Sequence, residues 1–317
     1  MGISLAEHTP LKLALGKDRA CWVDAGLPVL AGEPVEDLFG AAQPVGRAGD
    51  FALFHLDDWM LGAASVSIAP GLEAAAHKLY LEMLHAVSGL NLARIWNYVP
   101  GINELGLSGI ENYRAFCRGR SLAFERKFGA GFRASVPAAS AVGSRSAGLT
   151  MVFAACPAVS RHVENPLQVP AYDYPAEYGP RAPSFARATI VPHPRQPTVF
   201  ISGTAAIRGH ATVAPHRTRD QLDCVMENLR EISLACGLGP ELAVGPGGVR
   251  YFKIYVRHAG DQPALAAALE ERLLQTGDVV SYVHADICRA PLNVEIEVTL
   301  RPRPEAGMLR QVLSSSA

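Results

Sequence analysis

The sequence predicts an α+β fold in which one sheet-plus-helix unit is built twice in tandem. Three observations predict it. The order strands, amphipathic helix, strand, helix, closing strands occurs between 51 and 155 and again between 199 and 300. Hydrophobic residues make up 49% of the 317 and charged residues 19%, enough apolar chain for two cores and too little charge for disorder. A proline-rich stretch separates the copies. The boundaries read this way are 1–156 for the first unit, 157–198 for a connector that contributes to the site, and 199–317 for a second, catalytic unit.

The first sixty residues read as strands and turns, with short apolar runs at 20–24, 51–55 and 59–67 divided by Gly, Pro and Asp. After Pro70-Gly71, residues Leu72, Ala75, Ala76, Leu79, Tyr80, Met83 and Val87 recur at helical spacing, and Gly89 marks the stop. A buried strand follows at 95–99, ended by Pro100-Gly101. The spacing from Tyr98 to Arg145 is 13 residues longer than that from Tyr255 to Arg289. The excess falls in 101–120, rich in Gly, Asn, Tyr and Arg. Residues 114–128 look helical, and strands at 140–142 and 149–155 close the unit.

The connector holds nine prolines and three tyrosines, Tyr172, Tyr174 and Tyr178. Long loops inside compact proteins are usually functional or disordered. The tyrosines favour an ordered loop laid over a site, with a strand at 185–191. The second unit opens with 199–203. Leu222, Val225, Met226, Leu229, Ile232 and Leu234 then define a helix over 219–235, stopped by Gly237. A strand at 251–256 and a helix at 264–274 precede the closing Val294-Glu-Ile-Glu-Val-Thr-Leu300. Arg145 and Arg289 take the same place in the two copies, and so do Met151 and Glu295. A scaffold strand accommodates Met there, so Glu295 asks for a chemical reason.

Several function classes are disfavoured. A net charge of −1 offers no general attraction to nucleic acid or an anionic membrane, so any anion is bound locally by placed arginines. Six cysteines (Cys21, Cys117, Cys156, Cys224, Cys236, Cys288) lie far apart with no C-x-x-C pair, which argues against zinc and a disulfide framework and for a reducing cytoplasm. No signal peptide or stretch of about twenty apolar residues is seen. Neither His210, His216 and His284, nor Gly245-Pro-Gly-Gly248, nor Ser140 and Ser202 sit in the settings that metal, phosphate or nucleophile motifs require.

The element order and Cys288–Thr299 resemble the YjgF/RidA family, with Glu295 on that family's first strand glutamate. Val280-Ser281 stand where the family carries a carboxylate-binding Arg, which argues against its imine hydrolysis. A longer resemblance covers nearly the whole chain. Ile95-Trp-Asn-Tyr-Val-Pro-Gly-Ile-Asn103, Asn112-Tyr-Arg-Ala-Phe-Cys-Arg-Gly-Arg120, Pro137-Ala-Ala-Ser-Ala-Val-Gly143 and Tyr178-Gly-Pro-Arg-Ala-Pro-Ser-Phe-Ala-Arg187 are similar to the chorismatase family. The resemblance implies a cofactor-free enzyme that removes pyruvate from chorismate.

Chorismate is a dianion, and its carboxylates call for guanidinium partners. Arg120, Arg181 and Arg187 are the candidates in family motifs, with Tyr172 as a phenolic donor. The chemistry needs a proton on the enolpyruvyl methylene, delivered by an acid whose pKa is raised. The resemblance assigns that acid to Glu295, which hydrophobic neighbours would desolvate. Glu297 shares its face and stands second to it as the acid, the other reading being a structural or solvent-facing partner. Cys288 matches the hydroxybenzoate-forming branch, and the Gly203-Thr-Ala-Ala206 turn supplies the other wall, with Gly203 and Ala205 as lining residues. The expected products are 3-hydroxybenzoate and pyruvate, with 4-hydroxybenzoate also open. The alternatives are hydrolysis to a dihydroxycyclohexadiene carboxylate, or a non-catalytic binder of small carboxylates. The expected assembly is a homotrimer or a monomer.

Overall fold

The computed structural model describes residues 10–14, 22–36, 42–106, 108–194 and 196–302; Cys21 and the start of the 20–24 run lie outside them. Three N-terminal strands come first, β1 (Pro10–Ala14), β2 (Trp22–Gly32) and β3 (Val35–Glu36). A first unit follows: β4 (Gln43–Ala48), β5 (Phe51–Leu56), β6 (Trp59–Ser67), α1 (Leu72–Ala86), β7 (Asn91–Pro100), α2 (Asn112–Phe128), β8 (Ala138–Ser144) and β9 (Gly148–Cys156). The connector carries β10 (Arg161–Val163) and β11 (Ala188–Val191). The second unit has β12 (Thr198–Ala205), a two-stranded ribbon of β13 (Ile207–Arg208) and β14 (Ala211–Thr212), α3 (Thr218–Ala235), β15 (Gly248–Val256), α4 (Gln262–Arg272), β16 (Val279–His284) and β17 (Val294–Pro302).

The duplication is visible in the topology. One sheet runs β4-β5-β6-β9-β7-β8, and the other begins β10-β11-β12-β17-β15-β16, the same connectivity strand for strand. The division of the sheets differs from that expected at 156 and 198. Strands β10 and β11 of the connector are the counterparts of β4 and β5, and β2, β1 and β3 extend the second sheet beyond β16. The physical reason is an open edge. Strand β16 pairs in parallel with β15 and leaves its other side bare, and β2 covers it antiparallel, with Ser281 opposite Gly32 and Tyr282 opposite Ala31.

Helix α1 buries Leu72, Ala75, Ala76, Leu79, Tyr80, Met83 and Leu84, the stripe that the spacing predicted, on the outer face of the first sheet. Helices α3 and α4 cover the outer face of the second. The two inner faces meet through Trp96, Tyr98, Phe200, Tyr255 and Val283. The order is therefore helix, sheet, sheet, helix. The bare edge of β8 is satisfied across this junction. Ala138 N donates to Thr189 Oγ1 at 2.7 Å, Ala139 N to Ser202 Oγ at 2.9 Å and Gly143 N to Asp286 O at 2.7 Å.

One pairing of the two copies is corrected. Met151 and Glu295 lie on equivalent strands, β9 and β17, but on opposite faces. Met151 packs with the helix-side core of the first unit. On β17 it is Val294, Ile296, Val298 and Leu300 that face the helices, so Glu295 and Glu297 point into the junction. A slip of one residue in register is enough to exchange the faces.

Candidate active site

A cavity of ≈ 320 Å³ opens where the two units and the connector meet. Strand β17 contributes Glu295 and β12 contributes Gly203 and Ala205. Strand β8 supplies Ala139, Ser140 and Ala141, α2 supplies Tyr113, Arg114 and Arg120, and the turn before β17 supplies Cys288 and Arg289. The connector adds Tyr174, Tyr178, Phe185 and Arg187.

Glu295 is 4% exposed and stands opposite Ala205 on one side and Tyr255 on the other. Gly203 makes room for it. A Cβ there would lie 2.6 Å from the Glu295 carboxyl carbon and closer still to Oε1. Burial, then the charge of Glu297, pushes the Glu295 carboxyl up to about 8, with Arg94 and Arg187 pulling the other way. It therefore holds its proton at neutral pH and is able to give it up. Cys288 is pushed up to about 12, chiefly by burial and next by Glu295, so it is a neutral thiol, a small polar wall rather than a thiolate.

Cations face this acid. Arg120 is 1% exposed and has no carboxylate partner among the described residues. Its ring contacts are Phe116, 5.0 Å from the guanidinium carbon, and Phe185, 5.8 Å away. Nη2 reaches Cys117 Sγ at 3.7 Å, and Nε has no partner. A buried guanidinium without a counter-ion is costly to maintain, and a cavity that would receive an anion explains it. Arg187 is buried, donates to Tyr174 OH at 2.7 Å and Val169 O at 3.1 Å, and meets Glu164 only at 4.0 Å. Burial pushes Glu164 up to about 7, which weakens that ion pair near neutrality. Arg289 stacks on Tyr178, 4.0 Å from the ring centroid, and donates to His210 O at 2.8 Å.

This combination — one protonated carboxyl, one thiol and several guanidiniums free of full ion pairs — suits a small multiply charged anion that must be protonated on carbon. Comparisons with known proteins point the same way. Residues 38–155 match the family model described as "Chorismatase FkbO/Hyg5-like, N-terminal". A "3-hydroxybenzoate synthase" of Streptomyces hygroscopicus is 38% identical over 70% of this chain and 67% of its own. A "Chorismatase" of the same organism is 35% identical over 84% of this chain and 79% of its own. The crystal structure of a chorismatase superposes with a TM-score of 0.75 and 28% identity, over 95% of this chain and 96% of that one. The chain belongs to the chorismatase family.

Within this chorismatase fold, six of the residues singled out from the sequence share the cavity: Glu295, Cys288, Arg120, Arg187, Gly203 and Ala205. Two lie elsewhere. Arg181 is partly exposed and pairs with Glu125 at 2.9 Å, because α2 presents that acid beside the connector. Tyr172 packs against the first unit's core, while Tyr174 and Tyr178 turn to the cavity. The two short turns at Ala171–Asp173 and Ala176–Tyr178 decide which tyrosines face inward. Arg289, Tyr178 and Ser140 were not singled out as substrate ligands. Arg289 did carry a signal, as the neighbour of Cys288.

Proposed function

We propose that this chorismatase converts chorismate to 3-hydroxybenzoate and pyruvate, with Glu295 as the proton donor. The observation that carries the reading is the protonated, buried Glu295 in the same cavity as Arg120, a buried cation with no counter-ion among the described residues. Arg120, Arg187 and Arg289 bind the two carboxylates of the substrate. Glu295 gives its proton to the terminal methylene of the enolpyruvyl ether, and the ether carbon becomes electron-poor. The neighbouring ring hydroxyl then attacks the ring carbon that carries the ether, whose C–O bond breaks, so that pyruvate leaves with the ether oxygen and an epoxide spans the two ring carbons. The hydroxyl proton restores the acid, and the epoxide opens at the carbon that first bore the hydroxyl while hydrogen shifts from its neighbour, which completes the aromatic ring as 3-hydroxybenzoate. The atoms of chorismate are those of hydroxybenzoate plus pyruvate, so no water is consumed overall.

The hydrolytic route differs in the oxygen and in the carbon attacked: water adds to the electron-poor ether carbon and the ring keeps both of its oxygens. Cys288 and the Gly203–Ala205 wall border the ring space and favour the aromatic route by leaving room for the ring hydroxyl to turn. Ala205 in place of a smaller wall leaves 4-hydroxybenzoate open as a co-product. The free cysteines among the described residues (Cys117, Cys156, Cys224, Cys236, Cys288) support a cytoplasmic setting, and no described helix is long and apolar enough to cross a membrane.

Incubation of the protein with chorismate, followed by chromatography and a pyruvate assay, tests the reading. Equal amounts of pyruvate and hydroxybenzoate are expected. Pyruvate with a non-aromatic diol would assign the hydrolytic route, and no turnover would leave only a carboxylate binder.

A further inference from the structure

A second carboxylate lies two residues along β17, on the same face as Glu295, and substrate chemistry gives it no task. Glu297 is fully buried and accepts five hydrogen bonds. Oε1 takes Trp96 Nε1 at 2.9 Å and Lys253 Nζ at 2.9 Å; Oε2 takes Arg94 Nη2 at 2.7 Å, Tyr255 OH at 2.7 Å and the hydroxyl of Ser140. Three donors belong to the first unit and two to the second, so the carboxylate is pinned from both sides of the junction. Ser140 also lines the cavity, which makes the cluster continuous with the site.

Two like charges this close on one strand are not both ionised without cost. The donors are distributed unequally. Glu297 has five, and none of the described residues donates to Glu295. The charge therefore rests on Glu297 and the proton on Glu295. We propose that Glu297 is a positioning residue whose pinned negative charge keeps the proton on Glu295 and sets the pH range in which the acid works. The proposal rests on the reading of Glu295 as the acid. The charged and titratable groups around Glu295 are Arg94 on β7, Lys253, Tyr255 and Glu297 on β15 and β17, Arg187 and Cys288 at the cavity wall, and Arg120 across it. Burial raises Glu297, but Lys253 and Arg94 outweigh it and hold it near 2, and its charge in turn helps lift Glu295.

The test is the pH dependence of kcat, which reports groups in the substrate complex. The parent rate should fall as pH rises past about 8. In Glu297→Gln, two cations lose their anion, and the falling limb should move down by about one pH unit or more, with the low-pH plateau kept within a few-fold. In the double variant Lys253→Met/Glu297→Gln, one cation and one anion are removed together and the limb should return toward the parent. A folded Glu297→Gln with an unmoved limb, a loss that is equal at every pH, or a double variant that restores nothing would overturn the proposal. Should Glu297→Gln fail to fold, Lys253→Met alone decides: the limb should move upward, and an unchanged limb overturns it. Glu295→Gln is run beside them. If it keeps its rate, it is the acid assignment that fails, whereas an inactive Glu295→Gln beside an unmoved Glu297→Gln limb rejects the positioning role alone.

Discussion

Gly203→Ala asks how closely the acid must be held. The added Cβ would lie 2.6 Å from the Glu295 carboxyl carbon and 3.2 Å from Cγ, where unstrained carbon contacts need about 3.5 Å or more. The carboxyl must retreat by about 1 Å, since the three atoms nearest the added Cβ all belong to Glu295. A displacement of that size at a reacting group costs about 100-fold in rate. The backbone at Gly203 is not in the left-handed region, so alanine brings no conformational strain of its own and the fold should persist. The assay is steady-state pyruvate release from chorismate, with thermal unfolding alongside. The expected result is kcat down by about 100-fold, with KM changed far less because the arginines are untouched. A kcat within a few-fold of the parent in a well-folded variant would refute the argument that Gly203 is present to seat Glu295.

Other expectations follow from the same geometry. Arg120→Met should abolish measurable chorismate binding by calorimetry while raising the unfolding temperature, because it removes a buried cation that lacks a counter-ion among the described residues; a destabilised variant that still binds would contradict the role assigned to Arg120. Cys288→Val should shift product away from 3-hydroxybenzoate in chromatography, and an unchanged ratio would make the thiol incidental. Stability should carry the imprint of Glu295. Its carboxyl titrates at about 8 when folded against an ordinary 4.5, so the native state holds an extra proton between these values and parent stability falls as pH rises through that window. Denaturant unfolding from pH 5 to 8.5 should show Glu295→Gln gaining on the parent with rising pH; parallel curves would show that Glu295 is not held protonated.

Local pattern made the helices and most strands of both units legible. Leu72 to Met83 and Leu222 to Ile232 are stripes with an unambiguous period, and both become outer helices, while Leu234 of the second run is exposed. The N-terminal strands were not legible as part of the second sheet. Whether Ala31 pairs with Tyr282 depends on an edge left bare some 250 residues away, and nothing in the local sequence announces it. The site divides the same way. Glu295 stood out because an acid interrupts an apolar strand, and Arg120 because it belongs to a distinctive motif. Tyr172 and Tyr174 differ by two positions in an aperiodic loop, so only the turn at Ala171–Asp173 decides which ring reaches the cavity. Arg181 met Glu125 because two elements distant in sequence happen to pack together. Glu297 was read as a companion of Glu295, and its five donors come from three strands that only the folded chain assembles.

Turnover by Glu295→Gln addresses the central claim most directly. Glutamine keeps the size of the side chain and removes the transferable proton. The variant should fold, bind chorismate with an affinity near that of the parent, and release neither pyruvate nor hydroxybenzoate above background in a single-turnover assay. Release of both products at a rate close to the parent's would contradict the assignment and require a different donor.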